Sequence, residues 1–528
     1  MAVRSGWISA DLVRVFSGVD KDARLITTLA WGDRVDVIDE AKPARIRLRT
    51  LRADNKGVQL VDVDGFIKRA AKDVITFDRE TLGVLKLDFV DVQQGDAAIV
   101  ETPAGQVMLI DGGDNQMFAR YLASRFLGTS PEAPQKVACI VITHGDADHF
   151  DGLTEIHKSE SFSIKGNPAE TARKRLFIAP ERVYHNGLVK RPTKDANGKT
   201  RPDEALLGKT AKGANGALFI TGLEDDPRDA KKTERNKFFN DWCGALDAWE
   251  KRMGRKIDVR RLSRPLETPA DAGPADAFDF LADEKIRVDL LGPLEEKVAG
   301  KPGLRFLGNP SSKIARQPGE STTKFSGLSA SHTINGHSIV LRLQYGNFSA
   351  LFAGDLNEQS EEWLSREHDQ GHVNLTSEVF KVPHHGSADF STKFLKRVSP
   401  VVSVVSSGDE SEQKEFIHPR ATLMGALSKQ GRPSVEEPLV FVTELAAFFK
   451  LEGWTFNDSS KVTHKTQLCK QKGEFFSFTR AAFGMVKVRT DGNRMLIYTY
   501  SGKQDMKEAY AFKIIDKDHI EPDRVDSI

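Results

Sequence analysis

Apolar residues alternate with polar ones along much of this chain, and the alternation changes texture several times. LITTLAWGDRVDVID (25–39) breaks at a Gly32-Asp33 turn and resumes with Val35 and Val37, ARIRLRTLR alternates again, and VDGFIKRA ends on a Gly65 turn. Period-two patterning between turn residues predicts a small all-β unit over residues 1–78. From residue 84 onward, VLKLDFVDV reads as a strand and AAIVETPAGQVMLIDGG as a hairpin. Met117/Tyr121 and Phe118/Leu122/Phe126 then fall at helical spacing, and KVACIVITH is the next strand. Strands alternating with helices predict an α/β core that begins at 84–157.

Residues 158–330 break this rhythm. KRPTKDANGKTRPDE and RPLETPADAGPADA read as exposed loops, NKFFNDWCGALDAWEKRM as a helix and IRVDLLGP as a strand. We read the segment as an insertion between two halves of one core, either roofing the site or elaborating the surface. Regular structure resumes over 331–435. HSIVLRLQYGNFSALFAGD is a hairpin, EVFKVPHHGS a strand running into a loop, STKFLKRV a short helix, and PVVSVVSSG a further strand. Residues 436–528 contain MVKVRTDGNRMLIYTY, whose Asp491-Gly492 turn marks a hairpin in a β-rich closing segment.

The chemistry concentrates where an apolar strand ends. Cys139–Ile142 runs into Thr143-His144-Gly145-Asp146-Ala147-Asp148-His149, which packs two imidazoles and two carboxylates into six residues. Core packing has no use for that density of ionisable groups, because each would need a buried partner. Asp355, His384, His385 and His418 each follow a predicted strand or sit at a loop mouth. In an α/β fold such positions converge on one sheet edge. Imidazole and carboxylate without thiolate suit zinc, manganese or iron.

Composition narrows the setting. With 528 residues the chain holds about two to four domains. Lys+Arg is 76 and Asp+Glu is 75, so only local patches could attract a polyanion. Cys139, Cys243 and Cys469 lie far apart, which excludes a disulfide scaffold and a zinc ribbon. No signal peptide and no long apolar run is evident, so the expected location is cytoplasmic, with no membrane partner.

Taken together, these residues resemble the metallo-β-lactamase fold. Its usual His-x-His-x-Asp-His pattern becomes His144-Gly-Asp146-Ala-Asp148-His149. The Asp at the second position, with FVDVQQGDAAIV, VMLIDGG, SIVLRLQYGNFSALFAGDL and VFKVPHHGS, resembles the hydrolase domain of the competence DNA-uptake channel and phosphorylcholine esterases. The N-terminal pattern from Ile26 to Ile67 resembles bacterial SH3-like domains.

The resemblance implies a four-layer αβ/βα sandwich, preceded by a small SH3-like β-barrel, with a site for two divalent metal ions, Zn²⁺ or Mn²⁺. His144 and Asp146 would hold the first metal, Asp148 and His149 the second, and Asp355 would bridge them. His385 would complete the second metal's ligand set, His384 would act on the substrate side, and His418 would bind metal or substrate oxygen. Asp111 would support the site from behind. A further histidine ligand falls on either His332 or His337.

Two such metals, about 3.5–4 Å apart, would share a water and yield a metal-bound hydroxide near neutral pH, with Asp146 or Asp148 as its proton acceptor. The implied function is phosphodiester hydrolysis, with DNA as first substrate. The basic runs RVYHNGLVKRPTK and DVRRLSR could track its backbone, although such runs are by default solvated faces. A small nucleotide or phosphorylcholine ester is the alternative substrate. A non-catalytic binding or sensing module, recruiting a protein through the SH3-like unit, is the alternative role.

Overall fold

A computed structural model of the chain describes residues 3–54, 57–272, 276–310, 325–408, 418–443, 484–500 and 508–528. Two sheets lie face to face. The first has ten strands among the described residues. Leu85–Phe89, Ala97–Glu101 and Val107–Asp111 form an antiparallel meander, and Cys139–Val141, Arg182–His185 and Asp258–Arg261 continue it in parallel. On the other flank Met485–Thr490 pairs antiparallel with Leu85–Phe89, followed by Arg494–Tyr500, Ala509–Ile514 and Ile520–Asp523. The second sheet has six strands, in the order Ile286–Gly292, Val340–Tyr345, Phe348–Phe352, Val379–Lys381, Val402–Val405 and Leu439–Val442.

Strand pleating sorts the side chains between two cores. Leu87, Phe89, Met108, Ile110 and Val141 meet Leu341, Leu343, Ala350 and Phe352 between the sheets. Their alternates Ile99, Leu109 and Ile140 lie under Met117–Arg125, Ala147–Glu160 and Lys237–Met253. On the second sheet Val340, Leu351 and Ala353 lie under Glu358–Asp369, Thr392–Val398 and Ala421–Leu427. The result is helix, sheet, sheet, helix, which is the αβ/βα layering of a metallo-β-lactamase sandwich.

Local sequence explains the longest helix. Asn236 caps its start by accepting from the Phe239 amide (2.9 Å), and Gly254 ends it in the left-handed conformation. Phe239, Trp242, Leu246 and Trp249 recur at helical spacing and bury one stripe. Each such side chain contributes about 1.5–3 kcal/mol by burial.

One expectation, on the N-terminal unit, needs correction. Residues 158–330 carry a five-stranded sheet of their own, from Thr210–Lys212, Leu218–Ile220, Lys301–Arg305, Leu294–Val298 and Arg264–Pro265, and also contribute to the core. Arg182–His185 and Asp258–Arg261 complete the first sheet, Ile286–Gly292 edges the second, and Lys237–Met253 covers a face. The reason is that strands buried on both faces need neighbours, and this segment supplies them. The N-terminal unit is an antiparallel seven-stranded sheet with its own core of Ile8, Val13, Val15, Val35, Val37, Ile46 and Ile67. Among the described residues no ladder joins its edges Leu25–Ala30 and Ile75–Thr76, so it is an open sheet rather than a closed barrel. It packs on the first core sheet through Leu12, Trp31, Leu496 and Tyr498, and Arg494 forks onto Asp11 at 2.7 and 2.9 Å. No helix among the described residues is long and apolar enough to cross a membrane.

A charged cluster locks the C-terminal strands onto the core. Buried Asp88 meets Arg125 and Arg489, and Lys86 pairs with Glu101, its cross-strand neighbour, at 3.0 Å. Burial alone would raise the Glu101 carboxyl, yet Lys86, Arg125 and Arg79 hold it down at about 2. A depressed carboxylate stabilises the fold above its unfolded value near 4.5 and loses that contribution as pH falls toward 2. Glu101→Gln should therefore lower stability at pH 7 by about 1–3 kcal/mol. It should also flatten the loss between pH 4.5 and 2. Urea unfolding of both proteins at pH 7 and pH 3 checks this; parallel pH profiles would refute it.

Candidate metal centre

The parallel strands of both sheets end on one edge, and the loops leaving them carry the ionisable residues. From the first sheet, Val107–Asp111 ends in Asp111, and Cys139–Val141 leads through Thr143 and His144 into the helix Ala147–Glu160. From the second sheet, Phe348–Phe352 leads to Asp355 and Val379–Lys381 to His384 and His385. Close backbone approach sets the loops. A Cβ on Gly95, whose φ is +105°, would overlap the Asp148 carbonyl, and one on Gly152 would overlap the Gly112 carbonyl. His384 and His385 both adopt left-handed φ, at +49° and +51°, before Gly386. Holding two histidines there costs energy, as is common at functional sites.

Asp355 sits between two imidazoles. Its Oδ1 is 3.2 Å from His149 Nε2, and its Oδ2 is 3.3 Å from His385 Nε2. Asp148 Oδ2 lies 3.6 Å from the same His385 nitrogen, and the His144 and His149 rings are 4.0 Å apart. Donor atoms of His144, His149 and Asp355 fall within 4.8 Å of one another, as do those of Asp148, His149 and His385. The Nε2 atoms of His144, His149 and His385, and Asp355 Oδ1, are buried and make no hydrogen bond. Buried donors left in this way fit a cation.

Each ligand-like imidazole is held from behind. His149 Nδ1 lies 2.9 Å from Asp111 Oδ2, and Asp111 accepts from the Thr143 amide (2.8 Å) and hydroxyl (2.7 Å). His385 Nδ1 donates to the Ser406 carbonyl at 3.2 Å and lies equally near Asp96 Oδ1, whose other oxygen accepts from Lys381 Nζ at 2.7 Å. Such carboxylates orient the ring and raise its basicity. Burial disfavours the charged forms of His149 and His385, but Asp355 with Asp111 or Asp96 overrides it and raises both. Burial, then His149, pushes His144 down to about 4, so at neutral pH it offers a lone pair. Burial, then His385 and His384, pushes His418 down to about 3.

Other predicted residues are distributed differently. Asp146, His332, His384 and His418 line one cavity of about 430 Å³ beside the cluster, but among the described residues they join no ligand-like group. Asp146 departs from its expected role, since its Oδ1 accepts from Lys190 Nζ at 2.5 Å. His332 lies with Nδ1 3.5 Å from Asp389. His337 is buried behind the cavity, 2.7 Å from the Arg305 carbonyl. His337 Nε2 is thus committed to a backbone carbonyl, whereas His332 faces the cavity with its Nε2 buried. Sequence reasoning missed Asp96, which reads as a mere turn residue. Its signal was an acid directly before the apolar run AAIV. Lys381, inside an apolar strand, was the matching sign.

A family model for the metallo-beta-lactamase superfamily matches residues 90–214. The chain carries a metallo-β-lactamase domain. The matched stretch includes Asp96, Asp111 and His144 to His149, while Asp355 and His385 lie beyond it and reach the same site through the second sheet. The competence protein ComA of Neisseria gonorrhoeae is 37% identical over 98 residues, which is 18% of this chain and 13% of that protein, well under two thirds of its length. A solved metal-dependent hydrolase of the β-lactamase superfamily shows 11% identity and a TM-score of 0.28 over 68% of this chain and 95% of its own, too loose a superposition to add weight. The matched stretch holds His144, Asp148 and His149 of the donor set.

Removing a rear support should loosen a ligand without removing it. Asp111→Asn is expected to cut metal affinity by about 10–100-fold. Competition with a chelating dye would measure it; wild-type affinity in the variant would show that Asp111 does not orient His149.

Proposed function

We propose that the protein is a two-metal phosphodiesterase. The observation that carries the two-metal reading is Asp355, whose two oxygens face imidazoles from opposite sheets. His144, His149 and Asp355 would hold one ion, and Asp148, His385 and Asp355 the other, with Zn²⁺ or Mn²⁺ favoured by the mixed nitrogen and oxygen donors. Bound there, the ions would polarise a phosphoryl oxygen and activate water. The phosphodiester reading is supported by the competence-type segments and by the match to a competence protein.

The chain's own residues divide the remaining work. Burial would raise Asp148, but the nearby His385 imidazole, 3.6 Å away, and the charge of His149 hold it well below the usual range. It is therefore a standing carboxylate on the cavity wall, able to orient a water and accept its proton. His384 lines the same wall, its Nε2 3.5 Å from the Asn335 side-chain amide oxygen, and can act on a phosphoryl or leaving oxygen.

DNA is the first substrate to try. A second reading, a small nucleotide or phosphorylcholine ester, has a specific observation in its favour. The basic runs of 158–330 are spent on internal ion pairs. Arg191 and Arg201 meet Glu234, Arg260 meets Asp258 and Asp276, Arg261 meets Glu295, and buried Arg264 meets Glu367. The cavity volume suits one nucleotide-sized group, and its described lining includes no Lys or Arg. A purely sensing role is disfavoured by the assembled donor set.

Purified protein should contain close to two metals per chain, and hydrolysis of single-stranded DNA or a cyclic dinucleotide should vanish in His149→Ala and Asp148→Ala. Competition between the two substrates ranks them. Less than one metal per chain, or activity surviving in both variants, would refute the assignment.

A further inference from the structure

The position at which this chain departs from the usual metal-binding pattern is also the one whose carboxylate is taken by an internal cation. Lys190 Nζ donates to Asp146 Oδ1 at 2.5 Å. The Asn335 amide, in the orientation that satisfies both its ends, donates to Asp146 Oδ2 at 3.1 Å. Both oxygens are thus engaged, and Asp146 falls in none of the metal-sized groups among the described residues. Lys190 itself is anchored. Leu188 and Val189 before it are buried, its carbonyl accepts from the Asn236 amide at 2.9 Å, and its side chain is 28% exposed. It is thus no freely swinging surface lysine.

We infer that Lys190 is a positioning residue that holds Asp146 out of the metal shell, so that the two ion positions differ in affinity. This rests on the two-metal reading above. The position near His144 then draws on two imidazoles and the shared Asp355, whereas the position near His385 has Asp148 as well as Asp355. A divalent ion gains affinity with each carboxylate it meets, and here one nearby carboxylate is already neutralised by an ammonium group. Lys190 thereby makes the first position weak and exchangeable, and leaves a fixed positive charge next to the cavity wall that Asp146 lines.

Calorimetric titration of the metal-stripped full chain with Mn²⁺, and separately with Zn²⁺, tests this directly. Wild type should show two classes differing by about tenfold or more. Lys190→Met should tighten the weaker class by about tenfold, because Asp146 is released toward the ion. Asp146→Asn should leave both classes within about twofold of wild type. The double variant should return to the wild-type pattern. Loss of the weaker class in Asp146→Asn alone, or unchanged affinities in Lys190→Met, would overturn the inference while leaving the two-metal reading intact. No binding to wild type would instead overturn that reading, and this inference with it. Should Lys190→Met fail to fold, the near-isosteric Asp146→Asn still decides between the outcomes.

Discussion

Asp355 joins the two halves of the molecule at the point where both sheets expose their strand ends. One oxygen faces His149, carried by the first sheet, and the other faces His385, carried by the second. The carboxylate is almost fully buried, and burial opposes its charge, yet the adjacent imidazoles hold it well below its usual range. A buried charge is tolerable only when paired, so this edge of the sandwich needs both partners in register. The relative placement of the sheets, set by the core between them, therefore has to be correct to within hydrogen-bond distances for the site to form.

The supports behind the site show how that tolerance is met. Asp111 is fixed by two donors from Thr143, so the strand end that presents His144 also fixes the residue that aims His149. On the other side Lys381 reaches across from the second sheet to Asp96 on a loop of the first. Burial works against the Asp96 charge, and Lys381 and His385 keep it ionised nonetheless. The two arrangements are alike in placing an anchored carboxylate beside Nδ1, which on the second side also bonds to the Ser406 carbonyl, so that Nε2 points inward. Their difference is that one is local in sequence and the other spans 285 residues.

That difference explains what could be read in advance. Apolar runs bounded by turn residues predict the strands at 85–89, 107–111 and 340–352, because strands packed on both faces leave near-continuous apolar stretches. The cluster 144–149 was legible because its density of ionisable groups has no packing explanation. Asp96 and Lys381 were not, since each looks ordinary until the other is placed beside it. His337 shows the converse: nearness in sequence to a ligand-bearing strand does not determine where a ring points once a short helix intervenes. The openness of the N-terminal sheet was likewise hidden, because closure depends on edge-strand geometry and not on alternation.

The segment 158–330 carries the strongest consequence of reading charge in three dimensions. In sequence its arginines and lysines suggest a surface for a polyanion. In the fold they neutralise acids that strand pairing has brought near, from Glu234 to the buried Glu367. An arginine already forked onto a carboxylate gives up that pairing before it can bind a phosphate, so its contribution to backbone tracking is small. Lys190 belongs to the same economy of charge, but its acid lies on the cavity wall. The segment reaches the site through Lys190 on Asp146 and through Asn309 in the cavity lining.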